Sequence, residues 1–309
     1  SETPITAPFN VQDQIVTVNN MLVDAQGRVT ILWTWYDAVN KQQKYSYAHY
    51  DGSSWQSGAV TPIGTRANAG AKWAINSVTG EVMVVWSETT PASTYPCGGS
   101  ICATPERKDI KTASFKPGSG WDSAQVLLGQ DAGSISIGLA FVNFATDGRF
   151  GILYVETTDL GYPNGSKKQM FMKHRDVAGA WGAAEAINAD IDQTGVQDFK
   201  VHSIVNGPLG KLMVFSQRRT TNVDIDNRAT IYRHTYDPAL GWSVSRSEGK
   251  NSRILSSSTY VSKPDIALGD IKVEVTSDGH VFMFSWALPS DPTAYTYSIK
   301  ASRYTFDIA

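Results

Sequence analysis

The stretch GRVTILWTWYDAVNKQQKYSYAHYDGSSWQ, Gly27–Gln56, holds two runs rich in β-branched and aromatic residues, a polar segment between them, and a closing Asp-Gly-x-x-Trp. Gly27 ends the turn DAQG, a composition typical of a tight hairpin. Another β-rich run, NNMLVD, precedes this turn, and a short extended piece, QSGAVTPI, follows Trp55. The stretch therefore predicts the central part of a unit of about four strands joined by hairpins.

The same pattern recurs along the whole chain of 309 residues. The repeat glycine returns at intervals of 53, 68, 62 and 69 residues, at Gly27, Gly80, Gly148, Gly210 and Gly279. Four of the third strands lead into a turn that ends in tryptophan, at Trp55, Trp121, Trp181 and Trp242. Helical periodicity is absent, and repeated four-stranded units are typical of β-propellers. We expect the four tryptophans to be wedges between neighbouring units.

The sequence thus predicts one all-β domain, a five-bladed β-propeller of four-stranded antiparallel blades. The predicted blades cover residues 12–62, 63–128, 129–188, 189–250 and 251–309. The last repeat ends at SRYTFDIA without a fourth strand, whereas ITAPFNV near the N-terminus looks like the other fourth strands. Because an open ring leaves an unpaired strand edge, residues 1–11 are predicted to complete the fifth blade and close the ring.

Composition narrows the classes of partner. Charged residues make up 18% of the chain and the formal net charge is −2, so no overall field attracts nucleic acid. No apolar run is long enough to span a bilayer, and membrane insertion is not expected. The chain opens with Ser-Glu-Thr-Pro, which fits a mature product after removal of a signal peptide. We expect a monomer that is secreted, periplasmic or displayed at the cell surface.

The two cysteines lie close together in YPCGGSIC, at Cys97 and Cys102. Two thiolates alone do not make a zinc site, and a redox pair more often has the spacing C-x-x-C. The spacing favours a small disulfide that shapes a long loop in an oxidising compartment. The alternative is two free thiols.

Long loops indicate which end of the blades carries a site. In an up-and-down blade, the loops between second and third strands share one face with the crossovers between blades. Nearly all the long segments of this chain fall on that face, and long structured loops often carry sites. We therefore expect one ligand site on this face, around the mouth of the channel.

Positions equivalent by the repeat supply the candidate residues. Eight residues after the repeat glycine stand Trp35, Glu88, Glu156 and Arg218, and eight before it stand Lys72 and His202. Paired carboxylates can act as acid and base or nucleophile on a glycosidic bond, and a histidine can remove a proton next to a uronate. The predicted catalytic residues are Glu88, Glu156 and His202. The predicted substrate-binding residues are Lys72, Arg218, Trp35 and Tyr95. Alternatively, these charges only pair and order the loops.

Two acidic stretches could supply oxygen ligands to calcium: NADIDQTGVQD, residues 188–198, and NVDIDN, residues 222–227. Both lack the terminal glutamate of an EF-hand loop, and solvated turns are the alternative reading. Apart from a structural calcium ion here, no cofactor is expected.

The recurrent β-run, YDG-x-x-W, short strand and D-x-x-G resemble the repeats of sialidase-like or BNR-type propellers of secreted bacterial proteins. The resemblance covers the whole chain and is architectural, because the sialidase Asp-box is absent and no arginine triad can be assigned. It implies an extracytoplasmic, carbohydrate-active protein that binds or cleaves a polysaccharide at one site, as a glycoside hydrolase or polysaccharide lyase. The alternatives are a non-catalytic lectin or adhesion module and a protein-binding structural propeller.

Overall fold

The structure is a computed structural model, and its regular structure is almost all β-strand. It describes residues 14–38, 41–64, 70–97, 100–104, 107–131, 135–160, 166–189, 196–220, 229–251, 253–256, 265–267, 271–276, 279–287 and 298–306. Within these ranges, no helix is long and apolar enough to cross a membrane. The chain divides into unit 1, Ser1–Gly133 with Val142–Phe144, and unit 2, Ser134–Phe141 with Ala145–Ala309.

Unit 1 contains two antiparallel sheets and a hairpin. Sheet 1 has the order β1-β2-β3-β4, with β1 at Gln14–Val23, β2 at Val29–Asp37, β3 at Gln42–Tyr50 and β4 at Trp55–Ala59. Sheet 2 begins with β5 at Lys72–Ile75 and β6 at Val82–Thr90, and the hairpin of β7, Ser93–Cys97, and β8, Ser100–Thr104, follows. Sheet 2 resumes with β9 at Arg107–Lys116, β10 at Gly120–Trp121 and β11 at Gln125–Asp131, and both of these last strands pair with β9.

Unit 2 contains three antiparallel sheets. Sheet 3 has the order β12-β13-β14-β15, at Ile135–Phe144, Phe150–Asp159, Ser166–Arg175 and Trp181–Ala186. Sheet 4 consists of β16 at Val196–Asn206, β17 at Leu212–Thr220, β18 at Ala229–Asp237, β19 at Gly241–Trp242 and β20 at Arg246–Asn251, with a 3-10 turn at Pro208–Gly210. A small hairpin follows, with β21 at Arg253–Ser256 and β22 at Asp265–Ala267. Sheet 5 has the order β23-β24-β25, at Lys272–Val275, Val281–Ala287 and Ser298–Tyr304.

The prediction of an all-β chain built from repeated antiparallel sheets of about four strands is confirmed. All five repeat glycines have positive φ, between 74° and 85°, in the turn before the second strand of each sheet. Sheet 5 has three strands within the described residues. Residues 1–11, which were predicted to supply its fourth strand, lie outside the described residues, so ring closure stays a prediction.

Arginines that follow two of the repeat glycines lock neighbouring sheets together. In unit 2, the Arg149 guanidinium donates to the carbonyl of Gly210 at 3.3 Å, and Gly210 N–H donates to the Thr146 hydroxyl at 3.0 Å. In unit 1, Arg28 lies over Gly80 in the same way. A Cβ atom on Gly80 or Gly210 would overlap these side chains. The repeat glycine is therefore required by this close approach as well as by its φ angle.

Apolar cores hold the sheets of each unit against one another. Sheets 1 and 2 share a buried cluster of Leu32, Tyr45, Val60, Trp73, Val82, Val84, Trp86, Ala113 and Phe115. Sheets 3 and 4 share Leu153, Met170, Met172, Ile187, Leu212, Val214 and Tyr236, and sheets 4 and 5 pack around Phe215 and Met283. Trp121 packs on the first cluster and Trp242 on the second. The prediction that the tryptophan turns are wedges between neighbouring repeats is confirmed for these two.

Candidate functional site

The four residues eight positions after a repeat glycine all lie near the end of the second strand of their sheet. Trp35 is on β2, Glu88 on β6, Glu156 on β13 and Arg218 on β17, each two or three residues before the strand ends. The repeat therefore predicts their height along the strand correctly. The chemistry around each one depends on its cross-strand neighbours, and these differ from sheet to sheet.

Glu88 faces a second carboxylate. It is directly opposite Asp109 on the neighbouring strand β9, so the two side chains lie on one side of sheet 2. Glu88 Oε2 lies 3.0 Å from Lys111 Nζ, and Arg107 Nε donates to Asp109 Oδ1 at 2.8 Å. The arrangement is a row of two acids and two bases at the loop end of sheet 2.

The pair lies at the edge of the core that joins the two sheets of unit 1. Trp86, two residues before Glu88 on the same side of β6, is fully buried in that core. Consistent with this setting, the Glu88 side chain is 14% exposed and Asp109 as a residue is 8% exposed. Both carboxylates are thus mostly screened from water, yet they stand where the strands run into the loops.

Two glycines leave room around the pair. Gly129 is opposite Asp109 on β11, and a Cβ atom there would overlap Arg107 and the Asp109 carboxylate. On the other side, a Cβ atom at Gly64, after β4, would lie 3.8 Å from Glu88 Oε2. The chain therefore passes close to the Glu88 carboxylate at Gly64, a position without a side chain.

Lys72 and Trp35 do not join this cluster. Lys72 pairs with Val85, three residues before Glu88, so strand alternation puts Lys72 on the opposite side of sheet 2. Trp35 lies on the side of sheet 1 away from Leu32, the residue that packs toward sheet 2, and donates its indole N–H to the Ser46 hydroxyl at 3.0 Å. Counting from the repeat glycine gives the height of a residue and leaves its side of the sheet undetermined.

Glu156 has a different setting in unit 2. It is opposite Gln169 and on the same side of sheet 3 as Tyr154, whose ring stacks on Phe171 with centroids 5.5 Å apart. Within the described residues, no hydrogen-bond donor or cation contacts the Glu156 carboxylate. Burial raises the pKa of Glu156, and burial together with the nearby Glu156 charge raises the pKa of Tyr154 to about 12.

Asn188, the first residue of one predicted calcium-binding stretch, forms hydrogen bonds with strand β14 of sheet 3. Its Oδ1 accepts hydrogen bonds from Gln169 Nε2 at 2.9 Å and from the Met170 amide at 2.8 Å. Most of that stretch and the whole of residues 222–227 lie outside the described residues. In the part that is described, no three His, Cys, Asp or Glu side chains gather into a cluster that could hold a metal ion.

His202 and Arg218 both lie in sheet 4, but their side chains have different surroundings. β16 is bulged between Val201 and Ser203, and the His202 ring contacts the fully buried Gln217 side chain, Nε2 to Oε1, at 3.1 Å. Arg218 is the next residue on β17 and points to the other side of the sheet. Its Nη1 is fully buried and has no hydrogen-bond acceptor among the residues that the structure describes.

Tyr95, Cys97 and Cys102 lie in the hairpin that extends from the loop end of β6. The register pairs Tyr95 with Cys102 and Cys97 with Ser100, so the two cysteines are diagonal neighbours across the strands. Their side chains are outside the described residues. The Cys97–Cys102 disulfide and the role of Tyr95 stay predictions.

Asp109 and Lys111 are the residues that sequence reasoning missed. Counting from the repeat glycine reaches only the first and second strands of each sheet, so it does not single out KDIK in β9. A partial signal was present, because the apolar alternation of β6 and β9 restricts their register to pairings that put Glu88 and Asp109 on the same side of the sheet.

The sequence matches no known protein family, and no curated protein is significantly similar to it. Solved structures with some similarity include an α-L-arabinanase from Penicillium chrysogenum complexed with arabinobiose, with a TM-score of 0.48, 12% identity, and coverage of 91% of this chain and 77% of that chain. An endo-arabinase from Bacteroides thetaiotaomicron has a TM-score of 0.39 and 12% identity, covering 93% of each chain. A thermostable family-43 glycoside hydrolase has a TM-score of 0.41 and 16% identity, covering 95% and 91%. These values are too low to assign a family or an activity, so function must be argued from the residues of this chain.

Proposed function

We propose that the protein is a carbohydrate-active enzyme that cleaves a glycosidic bond, with Glu88 and Asp109 as its two carboxylates. The observation that supports this best is their direct opposition on β6 and β9, at the loop end of sheet 2. Directly opposed residues have Cβ atoms about 4.5–5.5 Å apart. Side chains at this Cβ spacing can bring their carboxyl groups about 5–5.5 Å apart, which is the separation found in retaining glycosidases.

The ion pairs suggest separate roles for the two acids. Asp109 is the shorter side chain and is oriented by Arg107, which suits a carboxylate that must stay ionised and in place. Glu88 is longer, and the glycine-bearing segment at Gly64 passes beside it, so a sugar hydroxyl could displace Lys111 there.

The proposed reaction has two steps. Glu88 gives its proton to the glycosidic oxygen as the bond from that oxygen to the anomeric carbon breaks, and the Asp109 carboxylate bonds to that carbon. A water molecule then gives a proton to Glu88 and attacks the same carbon, which releases the sugar and restores Asp109.

A second candidate is a non-catalytic carbohydrate-binding module. The two ion pairs favour it, because Lys111 holds Glu88 and Arg107 holds Asp109. The two carboxylates could then act as fixed hydrogen-bond acceptors for sugar hydroxyls. A lectin with one aromatic pocket in each repeat is less well supported, since Trp121 and Trp242 are used in packing.

The proposal also covers the closure of the propeller ring, the location of the protein and its oligomeric state. The five repeats would form a closed propeller, with residues 1–11 as the fourth strand of sheet 5, and the protein would act as an extracytoplasmic monomer. Ring closure is supported by sheet 5, which has three described strands where the other repeats have at least four.

A polysaccharide panel with products read by mass spectrometry tests the proposal. Glu88→Gln and Asp109→Asn keep shape and remove the acids, and each should lower turnover by about 10²–10⁴-fold. Glu274→Gln removes one member of an exposed ion pair with Lys272 and should retain full turnover. Turnover unchanged in both acid variants would refute the assignment. Sugar binding without any product, weakened in the same variants, would favour the binding module.

A further inference from the structure

Arg218 occupies the loop end of sheet 4 on the side that packs against sheet 3. It is directly opposite Phe199 on β16 and Thr230 on β18, so these three side chains lie together. Val214, four residues earlier on the same side of β17, is buried against Leu153 and Met170 of sheet 3. The guanidinium therefore stands at the end of the seam between sheets 3 and 4.

The described part of unit 2 offers no hydrogen-bond acceptor to one nitrogen of the Arg218 guanidinium. Its Nη1 is fully buried and, within the described ranges, meets no acceptor, and no carboxylate forms an ion pair with it there. A buried donor without a partner is unfavourable, more so when it carries charge. By contrast, Arg28 and Arg149, the arginines of the inter-sheet locks, each form an ion pair with an aspartate.

The side chains opposite Arg218 supply a hydroxyl and an aromatic ring, and sheet 3 has a lysine near its own loop end. Lys168 is on the side of sheet 3 that faces sheet 4, two residues beyond Met170 toward the loop end. Phe199 and Thr230 are half-buried beside the guanidinium. An arginine fork beside a hydroxyl and an aromatic ring suits a planar or tetrahedral oxyanion.

We propose that Arg218 is the anchor of an oxyanion-binding site in unit 2, which takes a carboxylate or a sulfate group such as those carried by acidic sugars. The bound anion would supply the acceptor that Nη1 lacks among the described residues. The inference does not depend on glycosidic bond cleavage at Glu88 and Asp109, because the site needs only the residues of sheets 3 and 4.

Titration calorimetry at constant ionic strength tests the site, with sodium sulfate and sodium glucuronate as separate probes and glucose as the uncharged control. The wild-type protein should bind at least one of the anions and should not bind glucose. Arg218→Gln should weaken that binding at least tenfold. Arg218→Lys, which keeps the charge but not the fork, should give an intermediate affinity.

Arg246→Gln is the matched control, since Arg246 is exposed on β20 in the same unit, and it should bind the anion as the wild type does. Without anion, Arg218→Gln should melt no lower than the wild type, because the variant removes a buried donor that has no acceptor among the described residues. Binding of neither anion by the wild type would overturn the proposal. Equal binding by the wild type and Arg218→Gln, or a lower melting temperature in Arg218→Gln with unchanged affinity, would also overturn it.

Discussion

His174 should make unit 2 sensitive to acid. Its ring lies edge-on to Tyr236 with centroids 4.9 Å apart, and a Cβ atom on the neighbouring Gly151 would lie 3.3 Å from the ring. Burial first, and the charge of Arg149 second, lower the pKa of His174 to about 4, although Asp147 acts in the opposite direction. The neutral ring is therefore the form that the folded protein stabilises.

The direction and the size of the pH effect on stability follow from the pKa values of His174 in the unfolded and the folded protein. The unfolded chain protonates its histidine near the ordinary pKa of 6.5, whereas the folded protein resists protonation down to about 4. The contribution of His174 to stability is complete above pH 6.5 and is lost as the pH falls. The loss should be about 1 kcal/mol at pH 5.5 and about 3 kcal/mol at pH 4.

Urea unfolding of the wild type and His174→Gln at pH 7.5, 5.5 and 4 measures this contribution. Other groups also titrate, so the informative quantity is the difference in the free energy of unfolding between the two proteins. That difference should shift by about 3 kcal/mol in favour of the variant between pH 7.5 and pH 4. A difference that stays constant over this range would refute the reasoning.

Three further predictions concern other parts of the chain. Because burial raises the pKa of Glu156, the charge of Glu156 lowers the stability of the folded protein above the ordinary pKa of a glutamate. Glu156→Gln should therefore unfold at a higher denaturant concentration than the wild type at pH 7. The unfolding midpoints of the two proteins should converge near pH 4. Alkylation without reductant, followed by intact-mass analysis, should leave Cys97 and Cys102 unmodified, and two added groups would show free thiols. Deletion of residues 1–11 should lower the melting temperature of the whole protein if they complete sheet 5, whereas unchanged melting would contradict ring closure.

The fold was predictable because its signals are local. A positive φ angle at Gly27, Gly80 or Gly148 follows from turn chemistry alone, and the hydrophobic runs on either side set the strands. The lock of Arg149 on Gly210 was not predictable in this way, because it joins residues 61 apart in sequence. Its geometry depends on how two sheets pack.

The site was predictable only in part. The repeat put Glu88 and Arg218 at the correct strand height, but which side of the sheet a residue occupies depends on register, and this separated Lys72 from Glu88. A bulge in β16 brought His202 against Gln217, and no sequence pattern marks that bulge. Asp109 was missed because a single acid in a third strand has no meaning until its cross-strand partner is known.

Rescue of Asp109→Ala by azide is the most direct test of the central claim, that Asp109 and Glu88 work as a pair on one glycosidic bond. Removal of the carboxylate leaves space for a small anion at the anomeric carbon. On a substrate identified by the polysaccharide panel and activated with a good leaving group, the variant should be inactive alone and regain turnover with azide, giving a glycosyl azide of inverted configuration. Wild-type turnover by Asp109→Ala without azide, or a glycosyl azide of retained configuration, would contradict the account.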